Sequence, residues 1–168
     1  MKTKKLFASV LLAIGMMAML FTSCESEDVK NEKKFDGEWL LESYQETEYK
    51  NGETYEGGID TTFTGLNAIA RFPYSRIIFY KDKKEAYILY DGRAISFTYQ
   101  VMGQKLFLKM EDENMSMILD IISLSDTEIV ISMPSYEYYS YNDELTEDPE
   151  NPVYDLYTYK TTLTYTKQ

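Results

Sequence analysis

The amino-acid sequence predicts an all-β domain, an eight-stranded antiparallel up-and-down barrel whose strands follow one another in chain order. Apolar and polar residues alternate with a period of two from Gly37 onward, a pattern typical of half-buried strands. Turn signals recur about every 8–12 residues, as in all-β domains. The connections from the second strand to the seventh are only a few residues long, and such loops join antiparallel neighbours.

The alternation predicts eight strands, at residues 38–49, 75–81, 85–91, 94–101, 105–111, 115–124, 127–141 and 153–166. "AISFTYQVM" shows the pattern most clearly, because every second residue from Ile95 to Val101 is large and apolar. Asp91-Gly92 predicts a two-residue hairpin turn, and Pro134 indicates a bulge or an edge in the seventh strand.

Two connections are long. Residues 50–74 are predicted to form a short helix or an Ω-loop between the first and second strands, and residues 142–152 a solvated acidic loop. Eight meandering strands leave two open sheet edges, and closing the sheet removes both. We therefore expect a barrel rather than a sandwich.

The first 23 residues have the pattern of a cleaved signal peptide. Three lysines lie in "MKTKK", and an uncharged apolar run of 16 residues, Leu6 to Phe21, follows. That run is shorter than the roughly 20 residues that a membrane-spanning helix needs. Domain boundaries are accordingly expected at residues 1–23 for the leader, 24–36 for a flexible acidic tether and 37–168 for the barrel.

The chain contains one cysteine, Cys24, which directly follows Thr22 and Ser23. A disulfide within the chain is impossible, because one cysteine has no partner. The segment resembles the bacterial lipobox, whose cysteine is acylated and becomes the new amino terminus. It departs from the usual pattern in having Phe21 where Leu, Val or Ile is common. The resemblance implies a palmitate-bearing lipoprotein that is anchored to a membrane through Cys24.

Location follows from the residues after the cysteine. "ESED" at residues 25–28 resembles the acidic export signal of surface-exposed lipoproteins in Bacteroidota. The resemblance implies an outer-membrane lipoprotein that faces the cell surface, with the periplasmic face of that membrane as the alternative. An acidic run that serves only as a solvated tether is the simpler interpretation.

Charge excludes two classes of partner. Of the 17 basic residues three lie in the leader, so the mature chain carries 14 against 28 acidic residues, a net charge of −14. Such a chain repels nucleic-acid phosphates and anionic membrane surfaces. The sequence does not indicate an oligomeric state.

The start and end of the domain resemble the lipocalin-like family. In "DGEWLLESY", Gly37 and Trp39 match the G-x-W motif that opens the first lipocalin strand. "IISLSDTEIVIS" and the terminal "YTYKTTLTYTK" are similar to small lipocalin-like lipoproteins of Bacteroidota. Lipocalins often pack an arginine near the carboxyl terminus over this tryptophan. Here no arginine follows Arg93, and Lys167 is the basic residue in range.

Catalytic chemistry has little support in this sequence. The chain has no histidine, which excludes Ser-His-Asp and Cys-His mechanisms and histidine-based zinc sites. No phosphate-binding glycine motif occurs. The acidic residues of the 142–152 loop lack the spacing of an EF-hand calcium loop. We therefore expect a protein that is not an enzyme, with no catalytic residues, no metal site and no cofactor.

Two functions from different classes are left open. In the first, the barrel binds a small apolar or amphipathic ligand. Its candidate lining comes from inward positions of the strands: Trp39, Leu41, Phe79, Phe97, Tyr99, Leu119, Tyr157 and Tyr159. For Trp39, plain core packing is the alternative.

In the second, the barrel is filled with side chains, and the protein binds a glycan or another protein through its loops and its tyrosine-rich surface. "SYEYYSYN" supplies the candidate contacts Tyr136, Tyr138, Tyr139 and Tyr141. Tyrosine suits contact surfaces because it is rigid and amphipathic. Simple β propensity is the alternative explanation of this segment. A cavity in the barrel separates the two functions.

Overall fold

A computed structural model of the chain describes residues 27–90, 92–110, 115–142, 144–147 and 150–168. Its helices and strands are, in chain order, α1 (Glu27–Phe35), β1 (Gly37–Lys50), β2 (Asp60–Thr64), α2 (Leu66–Arg71), β3 (Arg76–Tyr80), β4 (Glu85–Tyr90), β5 (Arg93–Met102), β6 (Lys105–Met110), β7 (Ser116–Leu124), β8 (Glu128–Ser132), β9 (Tyr136–Tyr141) and β10 (Tyr154–Lys167).

Eight of these strands form a closed antiparallel barrel. Pairing runs from β1 through β3, β4, β5, β6, β7 and β8 to β10, and β10 pairs back onto β1. Tight turns hold the meander in register: Tyr90 pairs with Arg93 across a two-residue loop that contains Gly92 at a φ of 73°. Positive φ suits glycine, which has no Cβ to clash. The predicted eight-stranded meander barrel is confirmed.

The remaining strands, β2 and β9, flank the barrel. Strand β2 pairs with residues 43–47 of β1, beyond the part of β1 that pairs with β3. Strand β9 pairs with residues 154–159 of β10, beyond the part that pairs with β8. We call β9, residues 154–159 of β10 and residues 48–50 of β1 the outer sheet, because they extend past the closed barrel.

Two details of the strand prediction are corrected by these pairings. The predicted strand at 127–141 is two strands, because Pro134 has no N–H to donate and the chain leaves the ladder at residues 133–135. The predicted helix in residues 50–74 is present as α2, but β2 precedes it.

Strand β1 changes which side chains face inward partway along its length. Trp39 and Leu41 are buried in the barrel, and a register shift against β10 follows between Leu41 and Ser43. After this bulge the even-numbered Tyr44 is the next buried residue. A bulge reverses the alternation because it adds one residue to one strand of a pair.

Helix α1 closes one end of the barrel, although its residues had been predicted to form a flexible tether. Phe35, its last residue, is fully buried, and its ring lies 5.0 Å from that of Phe79. Side chains tie the helical segment to two barrel turns: Asp28 accepts the Gly103 N–H at 2.7 Å, and Glu32 pairs with Lys84. The tether prediction is therefore wrong for residues 27–35, because one buried aromatic anchors an otherwise polar helix.

Every described member of the buried hydrophobic cluster lies between Phe35 and Tyr165. A chain that begins at residue 25 therefore contains all of these core residues. No helix in the described part of the chain is long and apolar enough to cross a bilayer. The leader, Cys24 and residues 25–26 of the acidic run lie outside the described residues, as do Asp91, Asp143 and Asp148.

Candidate ligand-binding cavity

A cavity of about 110 Å³ lies inside the barrel. It is at the end away from α1. Its wall is apolar and comes from inward positions on seven of the eight barrel strands and from the segments that join them. The aliphatic members are Ile77, Ile88, Ile95, Leu108, Leu119, Ile131 and Leu163. The aromatic members are Phe72, Tyr74, Phe97 and Tyr165. The remaining four are Met110, Met115, Met117 and Met133.

Alternation along the strands builds this wall. On β6, Leu108 and Met110 point inward, and on β7, Met117 and Leu119 do so. Leu108 pairs directly with Met117, so the two strands present matched apolar positions. Period-two patterning places such residues on one face of a sheet. In a closed barrel that face points inward, so the interior of the barrel is apolar.

None of the described residues that form the wall is charged. The hydroxyl of Tyr165 donates to the main-chain carbonyl of Tyr74 at 3.0 Å, so this polar atom has a partner inside the protein. Burial raises the pKa of Tyr165 above its usual range. An apolar molecule therefore meets no unsatisfied charge here, whereas a charged one would lose its hydration without compensation.

Size limits what the cavity can hold. A cavity of roughly 150 Å³ lined by Leu, Ile and Phe binds benzene in another protein. At about 110 Å³, this one matches a single small ring or a short alkyl chain. It falls short of the roughly 300 Å³ at which drug-sized pockets begin.

Methionine is concentrated at this cavity. The described residues contain five methionines, and four of them line the wall. The buried core of the described chain contains none. Met115 is 51% exposed and the other three are half-buried, so they lie on the side of the cavity that reaches solvent. Methionine adapts its shape readily, which suits a surface that contacts varied ligands.

The structure brings only two of the predicted lining residues to the cavity, Phe97 and Leu119. Trp39, Leu41 and Phe79 are buried, but they belong to the core outside the cavity wall. Trp39 and Phe79 pack at the α1 end: the Trp39 indole N–H donates to the Phe35 carbonyl at 2.7 Å.

Tyr99 is also buried at that end, with its ring 5.0 Å from that of Phe79, and burial raises its pKa. Alternation identified these four residues as inward-facing, but it does not tell which end of a barrel is filled. Sequence reasoning missed most of the wall, including the four methionines.

Tyr157 and Tyr159 do not line the barrel either. Both lie on the part of β10 that pairs with β9, where their Cα partners are Tyr138 and Tyr136. This part of β10 pairs with no barrel strand other than β1. The prediction for these two residues was wrong because β10 is 14 residues long and extends beyond the closed barrel.

The four candidate surface tyrosines of β9 are all exposed, and Tyr136 and Tyr139 are the most open, at 68% and 70%. They face both ways: Tyr136 and Tyr138 lie on one side of the outer sheet and Tyr139 and Tyr141 on the other, as alternation requires. The Tyr138 ring stacks on that of Tyr157, with centroids 5.0 Å apart and planes 8° from parallel.

Two carboxylates are held within this outer sheet. Glu48 accepts the hydroxyl of Tyr55 at 2.8 Å and that of Tyr138 at 2.9 Å. The Tyr55 hydroxyl is the largest cause that holds the pKa of Glu48 below its usual range. The same bond raises the pKa of Tyr55 to about 12.

Asp155 is the second carboxylate. Lys50 bonds to it at 2.8 Å, and the side-chain amides of Asn51 and Asn142 each donate to it at 2.7 Å. The Lys50 ammonium is the main cause that lowers the pKa of Asp155. Because both carboxylates have hydrogen-bond partners, we interpret this network as one that stabilises the outer sheet.

Across the described residues, no group of three or more His, Cys, Asp or Glu side chains is placed to hold a metal ion. The wall of the cavity likewise offers no such ligand. Among the described wall residues, the side-chain donors besides the two tyrosine hydroxyls are thioether sulfurs.

No family model matches the chain, and no curated protein matches it. Among solved structures it is similar to the bovine lipocalin allergen Bos d 2, at 18% sequence identity and a TM-score of 0.36. The similarity covers 82% of this chain and 75% of that one. The barrel assignment itself follows from the strand pairing described above.

Proposed function

We propose that this protein is a lipid-anchored binding protein whose barrel holds a small apolar ligand, or the apolar part of an amphipathic one. The observation that carries the proposal is the cavity of about 110 Å³, whose described wall residues are aliphatic, aromatic and thioether side chains with no charged group among them. Apolar burial supplies the affinity, because the ligand leaves water for an apolar wall.

The same wall favours a ligand whose polar group stays outside. Tyr74 lines the cavity, and its ring lies 5.1 Å from that of the exposed Tyr90. Tyrosine presents an apolar ring and a polar tip, so this pair suits the boundary between a buried chain and a solvated head group.

Stabilisation by ligands tests the proposal on the chain that begins at residue 25. Benzene and a series of short n-alkanols are added separately, and thermal unfolding is followed by circular dichroism. A ligand that binds only the folded state at about 100 times its Kd stabilises by about 2.7 kcal/mol. We expect stabilisation by benzene and by the shorter alkanols, ending once the chain exceeds the cavity.

Matched variants on one strand locate the site. Leu119→Phe fills the cavity, and Ile118→Phe adds the same ring at the neighbouring, outward position, which is exposed. The first should lose the ligand effect and the second should keep it. Equal stabilisation of both variants, or none of the parent protein, would contradict the proposal.

Anchoring is the second part of the proposal, and the leader with Cys24 supports it. Cys24→Ser should abolish incorporation of a palmitate analogue and release the protein from membranes. The acidic run supports an outer-membrane location on the cell surface. Replacing Glu25 and Glu27 with Ala should keep the lipid but protect the domain from protease added to intact cells. Asp28 is retained in this variant because it bonds Gly103.

A glycan-binding surface on the outer sheet is the second candidate function. The full exposure of β9 favours it, since all six residues from Tyr136 to Tyr141 are exposed. Aromatic rings stack on sugars, and the Tyr136 side of the sheet has neighbouring rings on β10. Binding to a glycan array that is lost in Tyr136→Ser but kept in Tyr139→Ser would support this candidate. Equal loss in both variants, or no binding by the parent protein, would remove it.

A further inference from the structure

The cavity methionines lie on adjacent strands and in register. The N–H of Met110 donates to the carbonyl of Met115 at 3.0 Å, which continues the pairing of β6 with β7. Met117 lies two residues further along the same face of β7, opposite Leu108. Three thioethers therefore occupy neighbouring positions on two paired strands.

Met133, the residue directly after β8, adds a fourth. Asp120 pairs with Ser132 and Ile121 with Ile131, and this register brings Met133 alongside Leu119, next to Met117. Its N–H donates to the Thr161 carbonyl at 3.0 Å, which fixes its main chain at the wall.

The spacing lets these sulfurs meet. Side chains directly opposite on antiparallel strands have Cβ atoms about 4.5–5.5 Å apart, and diagonal neighbours lie about 7–8 Å apart. Methionine has three rotatable bonds and is unbranched. At least three of the four sulfurs can therefore approach one point inside the cavity mouth.

The donor set has a definite metal preference. Thioethers are soft, neutral ligands that select Cu(I) among biological metals, whereas hard divalent ions need oxygen ligands. The described residues of the cavity wall supply thioethers and no carboxylate. A monovalent soft ion meets its preferred donors among these residues, and Mg²⁺ or Ca²⁺ does not.

Three of the four methionines, Met110, Met117 and Met133, are partly buried and pack against the hydrophobic core. The buried core of the described chain is built from Leu, Ile, Val, Ala and aromatic residues. Met102, the one described methionine outside the cavity, is exposed at the opposite end of β5 from Arg93. Methionine is therefore concentrated where the edge of the core meets the solvent side of the cavity.

We infer that Met110, Met115, Met117 and Met133 form a thioether site for a soft monovalent metal ion, Cu(I) or its redox-inert analogue Ag(I). The site shares the cavity with the proposed apolar ligand, so the two exclude each other. The inference goes beyond that function, because it concerns the sulfur atoms and not the apolar wall.

Methyl resonances of methionine provide the direct test. The chain from residue 25 contains five methionines and no cysteine, so Ag⁺ has no thiol to bind. It is labelled with ¹³C at the methionine methyl groups and titrated with Ag⁺. We expect at least three of the four cavity methyls to shift and to saturate at one equivalent. The methyl of Met102 is the internal control and should not move.

Leucine variants test the assignment. Met117→Leu, which removes the central thioether of the group, should weaken Ag⁺ binding at least about tenfold, since even loss of an outer-shell partner costs about 10–100-fold in metal affinity. Met102→Leu should bind as the parent does. Anaerobic Cu(I) should displace Ag⁺ from the parent, and Mg²⁺ should not. Equal shifts of all five methyls, or none at one equivalent, would overturn the inference without any variant.

A variant with all four cavity methionines changed to leucine separates the two proposals. Leucine keeps the wall apolar at similar volume, so this variant should still be stabilised by n-alkanols but should not bind Ag⁺. Alkanol binding without Ag⁺ binding by the parent overturns the metal site alone. Ag⁺ binding without alkanol binding overturns the apolar-ligand function alone.

Discussion

The ammonium of Lys167 lies 5.1 Å from the centre of the Trp39 ring, and the two residues are Cα partners where β1 and β10 close the barrel. Gly37 makes room for this contact: a Cβ there would lie 2.9 Å from Lys167 Cε, and its φ is 119°. The contact therefore lies at the corner where the first and last barrel strands meet.

Substitutions at the corner should separate core packing from the cation–π contact. Trp39→Ala empties a fully buried site and should lower the free energy of unfolding by about 3–5 kcal/mol. Lys167→Ala should cost about 0.5–1 kcal/mol, the usual value of an exposed cation–π pair. Urea unfolding followed by circular dichroism measures both.

Lys160→Ala, on the same strand, is the control and should be close to neutral. A Trp39→Ala protein as stable as its parent would mean that the tryptophan does not anchor the closed barrel.

Helix α1 should behave as part of the domain. Phe35→Ala removes a buried ring that contacts Phe79 and should cost about 3–5 kcal/mol. Val29→Ala, at an exposed position of the same helix, should have a much smaller effect. Hydrogen exchange should show protected amides in α1 of the parent. Equal stability of the two variants would restore the flexible tether that the sequence suggested.

The sequence predicted the barrel strands well but did not predict helix α1. The alternation in "AISFTYQVM" located β5, and the short loops predicted the meander, because both depend on local residues. Helix α1 could not be found in this way, since Phe35 is its one fully buried residue and its partner Phe79 lies 44 positions away. Long-range packing decided that segment.

Only a small part of the candidate site was predictable from the sequence, for a related reason. The alternation of apolar and polar residues predicted that Phe79 and Phe97 both point inward. It could not predict that α1 fills the end of the barrel where Phe79 lies and leaves the end near Phe97 open. Tyr157 lies on the part of β10 that extends beyond the closed barrel. Which part of a strand faces the cavity depends on its partners and not on its own pattern.

Alkaline pH should weaken the outer sheet through Tyr55. Its bond to Glu48 raises the pKa of the folded-state hydroxyl to about 12, against an unfolded value of about 10. The folded state therefore retains a proton that the unfolded state has released in this window. The resulting stability is complete below about pH 10 and is lost as the pH rises towards 12.

Glu48→Gln tests this dependence. Without the carboxylate, the pKa of Tyr55 should fall towards its usual value, and the free energy of unfolding should fall less steeply between about pH 10 and 12. Urea unfolding at several pH values measures the slope, and Tyr55→Phe, which cannot titrate there, is the control. The same slope in parent and both variants would show that this bond does not couple to folding.

Xenon binding in crystals of the chain from residue 25 tests the central claim most directly. Xenon binds in apolar cavities, and the barrel has an apolar cavity at the end away from Trp39. We predict a xenon peak in contact with Phe97, Leu108 and Leu119, with Trp39 and Phe35 unmoved at the other end. A barrel interior packed with side chains, with no xenon beside these residues, would contradict a ligand-binding cavity.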